Sequence, residues 1–92
     1  MQKLKISVLE QKASIHILLA LREHEQLTVS DLVRIIPYTQ PAIYTAKTKL
    51  VEAGLIEQEK KGGFPFTVIH KLTPKGRKVA EKLLEIEKIL ES

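Results

Sequence analysis

The chain has no cysteine and no tryptophan, and only two tyrosines, two phenylalanines, four glycines and four prolines in 92 residues. Each shortage removes a class of function. Without thiols there is no disulfide framework, no thiolate nucleophile and no cysteine-based zinc or iron–sulfur site. His16, His24 and His70 stand far apart with no helical i, i+4 pair, which supports neither a metal centre nor a catalytic triad. The Gly62-Gly63 pair lacks the spacing of a phosphate-binding loop. No apolar run approaches the roughly 18 residues that span a bilayer. Met1–Ile6 is too short and too charged for the apolar region of a signal peptide. The expectation is a cytoplasmic chain that is not an enzyme, with no metal, no cofactor and no membrane partner.

What is present suits one small domain over residues 1–92. Hydrophobic residues make up 43%, enough for a modest core, and a domain of this size gains by burying more surface in an oligomer. The net charge of +4 favours a polyanionic partner. The abundance of Ile, Leu, Lys and Glu fits a thermophilic source.

Local signals divide the chain into elements. Ser7-Val8-Leu9-Glu10 reads as a capping box opening a helix to about Glu25. Leu9, Ala13, Ile17, Ala20 and Leu21 form one apolar face of it, but Ile15, Leu18 and Leu19 lie on the other sides, which suggests that a second subunit covers the outer face. Thr28 caps the next helix, with Asp31 as its third-position acid and Leu27 and Leu32 as a staple. Leu32, Ile35 and Ile36 form its buried stripe and Pro37 ends it. After a tight turn, Thr39 caps a third helix with Pro41 in its first turn, running to about Ala53 with Gly54 just beyond its end. Tyr38 and Ile43 are placed as its staple. Ile56–Lys60 and Thr67–Leu72 read as strands of a hairpin. Thr73 and Pro74 then open a last helix over residues 74–92, in which Val79, Leu83, Ile86 and Leu90 repeat like a coiled-coil seam.

This order resembles the winged-helix transcription regulators of the MarR and ArsR type, especially the small archaeal members. Thr39-Gln40-Pro41-Ala42-Ile43-Tyr44, Lys49-Leu50-Val51-Glu52-Ala53-Gly54-Leu55-Ile56 and Leu72-Thr73-Pro74-Lys75-Gly76-Arg77 carry the resemblance. It implies an α+β, mostly α fold: a winged helix-turn-helix with a three-helix core, a two-stranded wing and a long C-terminal helix. It implies too that helix 39–53 enters the major groove of double-stranded DNA. The family's Asp-x-Arg wing signature is missing, and Gly62-Gly63-Phe64-Pro65-Phe66 stands in its place. The extra terminal helices of full-length MarR proteins are also missing. A dimer is then expected from the first helix and residues 74–92.

The residue chemistry agrees with a groove-facing helix. No acid occurs between Asp31 and Glu52, where Arg34, Lys47 and Lys49 all fall. Thr39, Gln40, Ala42, Tyr44, Thr45, Thr48 and Lys49 are the expected DNA-facing residues, with Gln40 and the threonines as base readers and Lys49 on phosphate. Lys60, Lys61, Gly62 and Gly63 are the expected wing contacts. Lys71, Lys75, Arg77 and Lys78 form a second basic cluster, and His70 packs or touches phosphate. Leu18, Leu19, Val79, Leu83, Ile86 and Leu90 are the expected homodimer interface. The leading expectation is a sequence-specific, homodimeric transcriptional regulator. The alternatives are a chromatin-like protein coating DNA with little preference and a winged helix used for protein interaction. No effector is legible.

Overall fold

A computed structural model describes residues 4–92. Residues 1–3, which begin the expected 1–92 domain and the Met1–Ile6 stretch, lie outside the described residues. A 3-10 turn over Lys5–Glu10 leads into α1 (Ser14–His24), β1 (Gln26–Leu27), α2 (Val29–Ile35), α3 (Gln40–Glu52), β2 (Ile56–Lys61), β3 (Thr67–Leu72) and α4 (Pro74–Glu91). This is the α+β winged helix-turn-helix, with one addition. The two-residue β1 pairs antiparallel with β3, Gln26 opposite Lys71 and Leu27 opposite His70, so the wing belongs to a three-stranded sheet of order β1-β3-β2.

The expected long first helix is broken. Ser7 caps nothing, and Ala13 takes a left-handed φ of 74° before α1 begins. The physical reason lies in packing. An unbroken helix from Ser7 would carry Val8 and Leu9 away along the α1 axis, whereas the break lays both against the core. α1 is also covered more fully than its all-round apolarity suggested. Leu18 is 0% exposed within the single chain, because α4 and α3 both pack on α1. Leu18 is therefore core and not subunit surface.

The helix-turn-helix follows its local signals closely. The Thr28 hydroxyl accepts from the Asp31 amide at 3.1 Å, and the Thr28 amide donates to the Asp31 carboxylate at 3.0 Å. That amide bond is the main reason the Asp31 carboxyl sits below its ordinary value of 3.8, followed by the Thr28 hydroxyl, with burial opposing both and Arg34 adding a lesser lowering. A carboxylate lowered on folding stabilises the fold above its ordinary pKa, and that stabilisation is lost as pH falls through the lower folded value. Thr28→Ala is expected to cost about 1 kcal/mol in urea unfolding at neutral pH, with the gap from the parent narrowing in acid. An unchanged midpoint at pH 7 would show the cap to be energetically silent.

Leu32 and Ile36 are buried, but Ile35 is largely exposed, since α2 ends at that residue and its side chain points off the packed face. Thr39 holds the N-cap position of α3, yet its hydroxyl makes no cap bond. At the other end Gly54 takes φ 76°, the left-handed geometry required to leave α3. Thr73 caps α4 by accepting from the Gly76 amide at 3.0 Å, and donates its own hydroxyl to the Gly54 carbonyl at 2.6 Å. The end of α3 and the start of α4 are thus joined.

Candidate nucleic-acid interface

Ile43, Ala46 and Leu50 turn one face of α3 into the core, where all three are fully buried. The spacing of that inner face decides what is left outside. Gln40, Tyr44, Thr45, Thr48 and Lys49 are all exposed, Thr39 is exposed at the helix entry, and Ala42 is half-buried. The face carries no carboxylate between Asp31 and Glu52, so only the exposed Glu52 at the C-terminal end of α3 would repel a phosphate backbone.

Two of these side chains are partly committed within the protein. The Thr48 hydroxyl donates to the Tyr44 carbonyl at 2.9 Å, which leaves its oxygen lone pair and its methyl for a ligand. The Lys47 ammonium lies 5.5 Å from the centre of the Tyr44 ring and donates to Oε1 of Gln58 at 3.0 Å. The Lys47–Gln58 bond ties the α3 surface to the wing strand β2. Sequence reasoning did not foresee it, because its partners are distant elements brought together only by the fold. Arg34 is held by Asp31 at 2.8 Å at the end of α2.

Alternation along β2 sorts the wing charges. Gln58 and Lys60 share the face on which Ile56 is buried, while Glu57, Glu59 and Lys61 point the other way. Glu59 is drawn towards Lys71 at 3.2 Å and Lys61 at 3.9 Å. The Lys60 ammonium sits 4.4 Å from the centre of the Phe66 ring. Lys60, Lys61, Gly62 and Gly63 are all exposed, and Gly62 takes φ 82° at the turn.

His70 is a structural residue. It is fully buried, and its Nδ1 lies 3.1 Å from the Leu27 carbonyl, linking β3 to β1. A carbonyl only accepts, so Nδ1 carries the proton. Burial pushes the imidazole pKa below its ordinary value, opposed by the Leu27 bond and reinforced by the Lys47 charge. His70 is neutral at physiological pH and out of reach of a phosphate. His16 stacks edge-on against Tyr38, ring centres 5.2 Å apart. Among the described residues no three His, Cys, Asp or Glu side chains gather to hold a metal, and no helix is long and apolar enough to cross a membrane.

The expected dimer residues separate into three groups. Ile86 is 51% and Leu90 is 75% exposed, with Ile89 beside them. Leu19 and Val79 are half-buried, whereas Leu18 and Leu83 belong to the core. Between the leading 3-10 turn and α4 lies an open groove of about 710 Å³, with Ile6, Leu9, Val79 and Ile86 in its walls and Lys5, Lys75, Lys78 and Lys82 around its edge. Nothing in the sequence marked that groove, since the break at Ala13 creates it.

The family model described as HxlR-like helix-turn-helix matches residues 8–92. No curated protein matches. Among solved structures, a protein from Enterococcus faecalis V583 named as a MarR-family transcriptional regulator superposes with a TM-score of 0.82 at 20% identity, over 95% of this chain and 79% of that one. A second, named as the transcriptional regulator ytfH from Salmonella typhimurium, gives 0.81 at 23% identity, over 94% and 77%. A transcriptional regulator homologue from Pyrococcus horikoshii OT3 gives 0.75 at 15% identity, over 91% and 85%. At such identities these likenesses speak for the shared fold.

Proposed function

The chain belongs to the HxlR-like helix-turn-helix family, a family of transcriptional regulators and not of enzymes, and from that premise we propose that it binds double-stranded DNA sequence-specifically as a homodimer. α3 enters the major groove, with Gln40 and Thr45 at base edges, Thr48 offering its methyl and lone pair, and Thr39, Tyr44 and Lys49 at the backbone. Lys60, Lys61 and the Gly62-Gly63 backbone reach phosphates beside it. The observation that carries this reading is the exposed outer face of α3, free of acids until its last residue, Glu52, with its five polar side chains set by the burial of Ile43, Ala46 and Leu50. Residues 74–92 serve as the dimerisation helix, a reading supported by the apolar surface of Ile86, Ile89 and Leu90 that the described residues leave uncovered. Two α3 helices related by a twofold axis then meet half-sites about 34 Å apart.

The test selects a duplex from a random-sequence pool and measures its binding across a salt series beside an unselected duplex. Sequence-specific regulation predicts tighter binding to the selected duplex, with both affinities falling steeply as salt rises. Gln40→Ala should cost about 1–3 kcal/mol on the selected duplex and little on the unselected one. Lys49→Ala should weaken both and reduce the salt slope by about 1. Equal affinity for every sequence would turn the reading into DNA coating, and no binding at low salt would turn it into a protein-interaction module.

A further inference from the structure

The wing tip presents an aromatic side chain that the fold does not use. Phe64 is 96% exposed, although burying a phenylalanine is among the larger apolar gains open to a small domain. Its neighbour Phe66 differs, being partly covered with the Lys60 ammonium over its ring. Just before Phe64 the chain narrows to bare backbone. Gly62 turns at φ 82°, and a Cβ added at Gly62 or Gly63 would meet nothing within 4 Å. The tip is therefore slim, projecting and headed by an apolar ring, with Lys60 and Lys61 immediately behind it.

The wing's position is set from its base. Gln58 is tied to α3 through Lys47 at 3.0 Å. Beyond it β2 runs three residues further to Lys61, still paired with β3, which extends the hairpin by about 10 Å before the loop starts. The major groove that would hold α3 is about 12 Å wide, so a projection of that length arrives at the neighbouring minor groove. The acids of the wing do not oppose this approach. Glu57 and Glu59 lie on the strand face opposite Gln58 and Lys60, and Glu59 is already drawn to Lys71.

The geometry points to Phe64 as an apolar wedge that enters a base step in the minor groove flanking the α3 site and bends the duplex. This rests on the DNA-binding reading above. Lys60 and Lys61 hold the phosphates on either side, and the ring fills the gap that opens when two base pairs unstack. Such a wedge needs no Arg at the tip. It adds preference at a position that no hydrogen bond reads, because pyrimidine–purine steps unstack most readily.

The probe is the duplex selected from a random pool by the parent protein, labelled at its ends for energy transfer and carrying 2-aminopurine at successive flanking positions. The parent protein is expected to bend it by at least about 20° and to raise fluorescence at one flanking step. Phe64→Ala is expected to bind about tenfold more weakly, with bend and fluorescence lost, while Phe64→Leu keeps most of both. Phe64 is fully exposed, so both variants should melt at the parent temperature. Lys60→Ala should weaken binding without moving the fluorescent step. Unchanged affinity and bend in Phe64→Ala overturn the wedge and leave the DNA-binding reading intact. Weaker binding with no bend or 2-aminopurine signal in the parent also overturns it. If the parent enriches no duplex at low salt, the DNA-binding reading itself falls, and the wedge with it.

Discussion

Gly76→Ala is expected to destabilise the protein by roughly 3–5 kcal/mol, at the severe end of single substitutions. A Cβ built on Gly76 lies 1.8 Å from the Leu55 carbonyl oxygen, 2.7 Å from its carbon and 3.2 Å from its Cα. All three are backbone atoms, so no rotamer change relieves the overlap. Leu55 cannot move away either. Its amide donates to the Leu50 carbonyl at 3.0 Å, and its carbonyl accepts from the Thr73 amide at 3.1 Å. Gly76 is fixed from its own side by the bond from its amide to Thr73. Relief requires lifting the first turn of α4 off the end of α3, which breaks both caps and opens the base of the wing, where Ile56 pairs with Leu72. A domain of this size has a total stability of about 5–14 kcal/mol, so thermal unfolding should fall by about 15–30 °C or the chain should fail to fold. Gly63→Ala is the control. A Cβ there meets nothing within 4 Å, and the melting temperature should stay within a few degrees of the parent. If Gly76→Ala melts where Gly63→Ala does, the close approach of α4 to Leu55 is not rigid.

That glycine shows where the sequence could be read and where it could not. Leu72-Thr73-Pro74-Lys75-Gly76-Arg77 was visible as a pattern, and Thr73 as a cap, because caps act over three or four residues of local backbone. The same holds for Thr28 with Asp31, for Pro37 as a stop and for Gly54 beyond α3. The reason for Gly76 lies 21 positions earlier in the chain, at Leu55, and no local rule reaches that far. The misreadings share this cause. Ala13 adopts a left-handed φ with no Gly, Asn or Asp to announce it, because tertiary burial of Val8 and Leu9 decides the backbone there. β1 is two residues long and exists only through its pairing with β3. Leu18 could be seen to lie off the main apolar face, but only the packed structure shows that one chain suffices to cover it.

The candidate DNA surface divides along the same line. The outward set on α3 was legible, since the helical period that places Ile43, Ala46 and Leu50 inside fixes what remains outside. Which of those side chains are already engaged was not. The bonds of Thr48 to Tyr44 and of Lys47 to Gln58 depend on rotamers and on the docking of β2 beside α3. His70 illustrates the point from the opposite side: its strand was legible and packing was one of two readings for its ring, and only the fold decides for burial and supplies the bond to Leu27.

Replacing both Ile86 and Leu90 with glutamate is expected to convert a dimer into monomers and to reduce affinity for the selected duplex by about 10²–10⁴-fold, the factor gained by joining two binding modules. Both side chains project from the last turns of α4, so the substitutions create no cavity in the protomer. Glutamates there would stand beside Glu85, Glu87 and Glu91 and face the same residues across a twofold interface, where unpaired like charges strongly oppose association. Leu83 makes a poorer target because it is only 9% exposed, and a charge there would injure the core before it tested the interface. Sedimentation and unfolding separate the two effects. The double variant should sediment at half the parent mass, and at a protein concentration too low for the parent to dimerise the two should unfold at similar urea concentrations. A parent that is monomeric at micromolar concentration excludes the dimer, and a variant that still dimerises places the interface away from the α4 seam. Measured on a duplex carrying only one half-site, the double variant should bind as well as the parent, because α3 and the wing lie on elements that neither substitution touches.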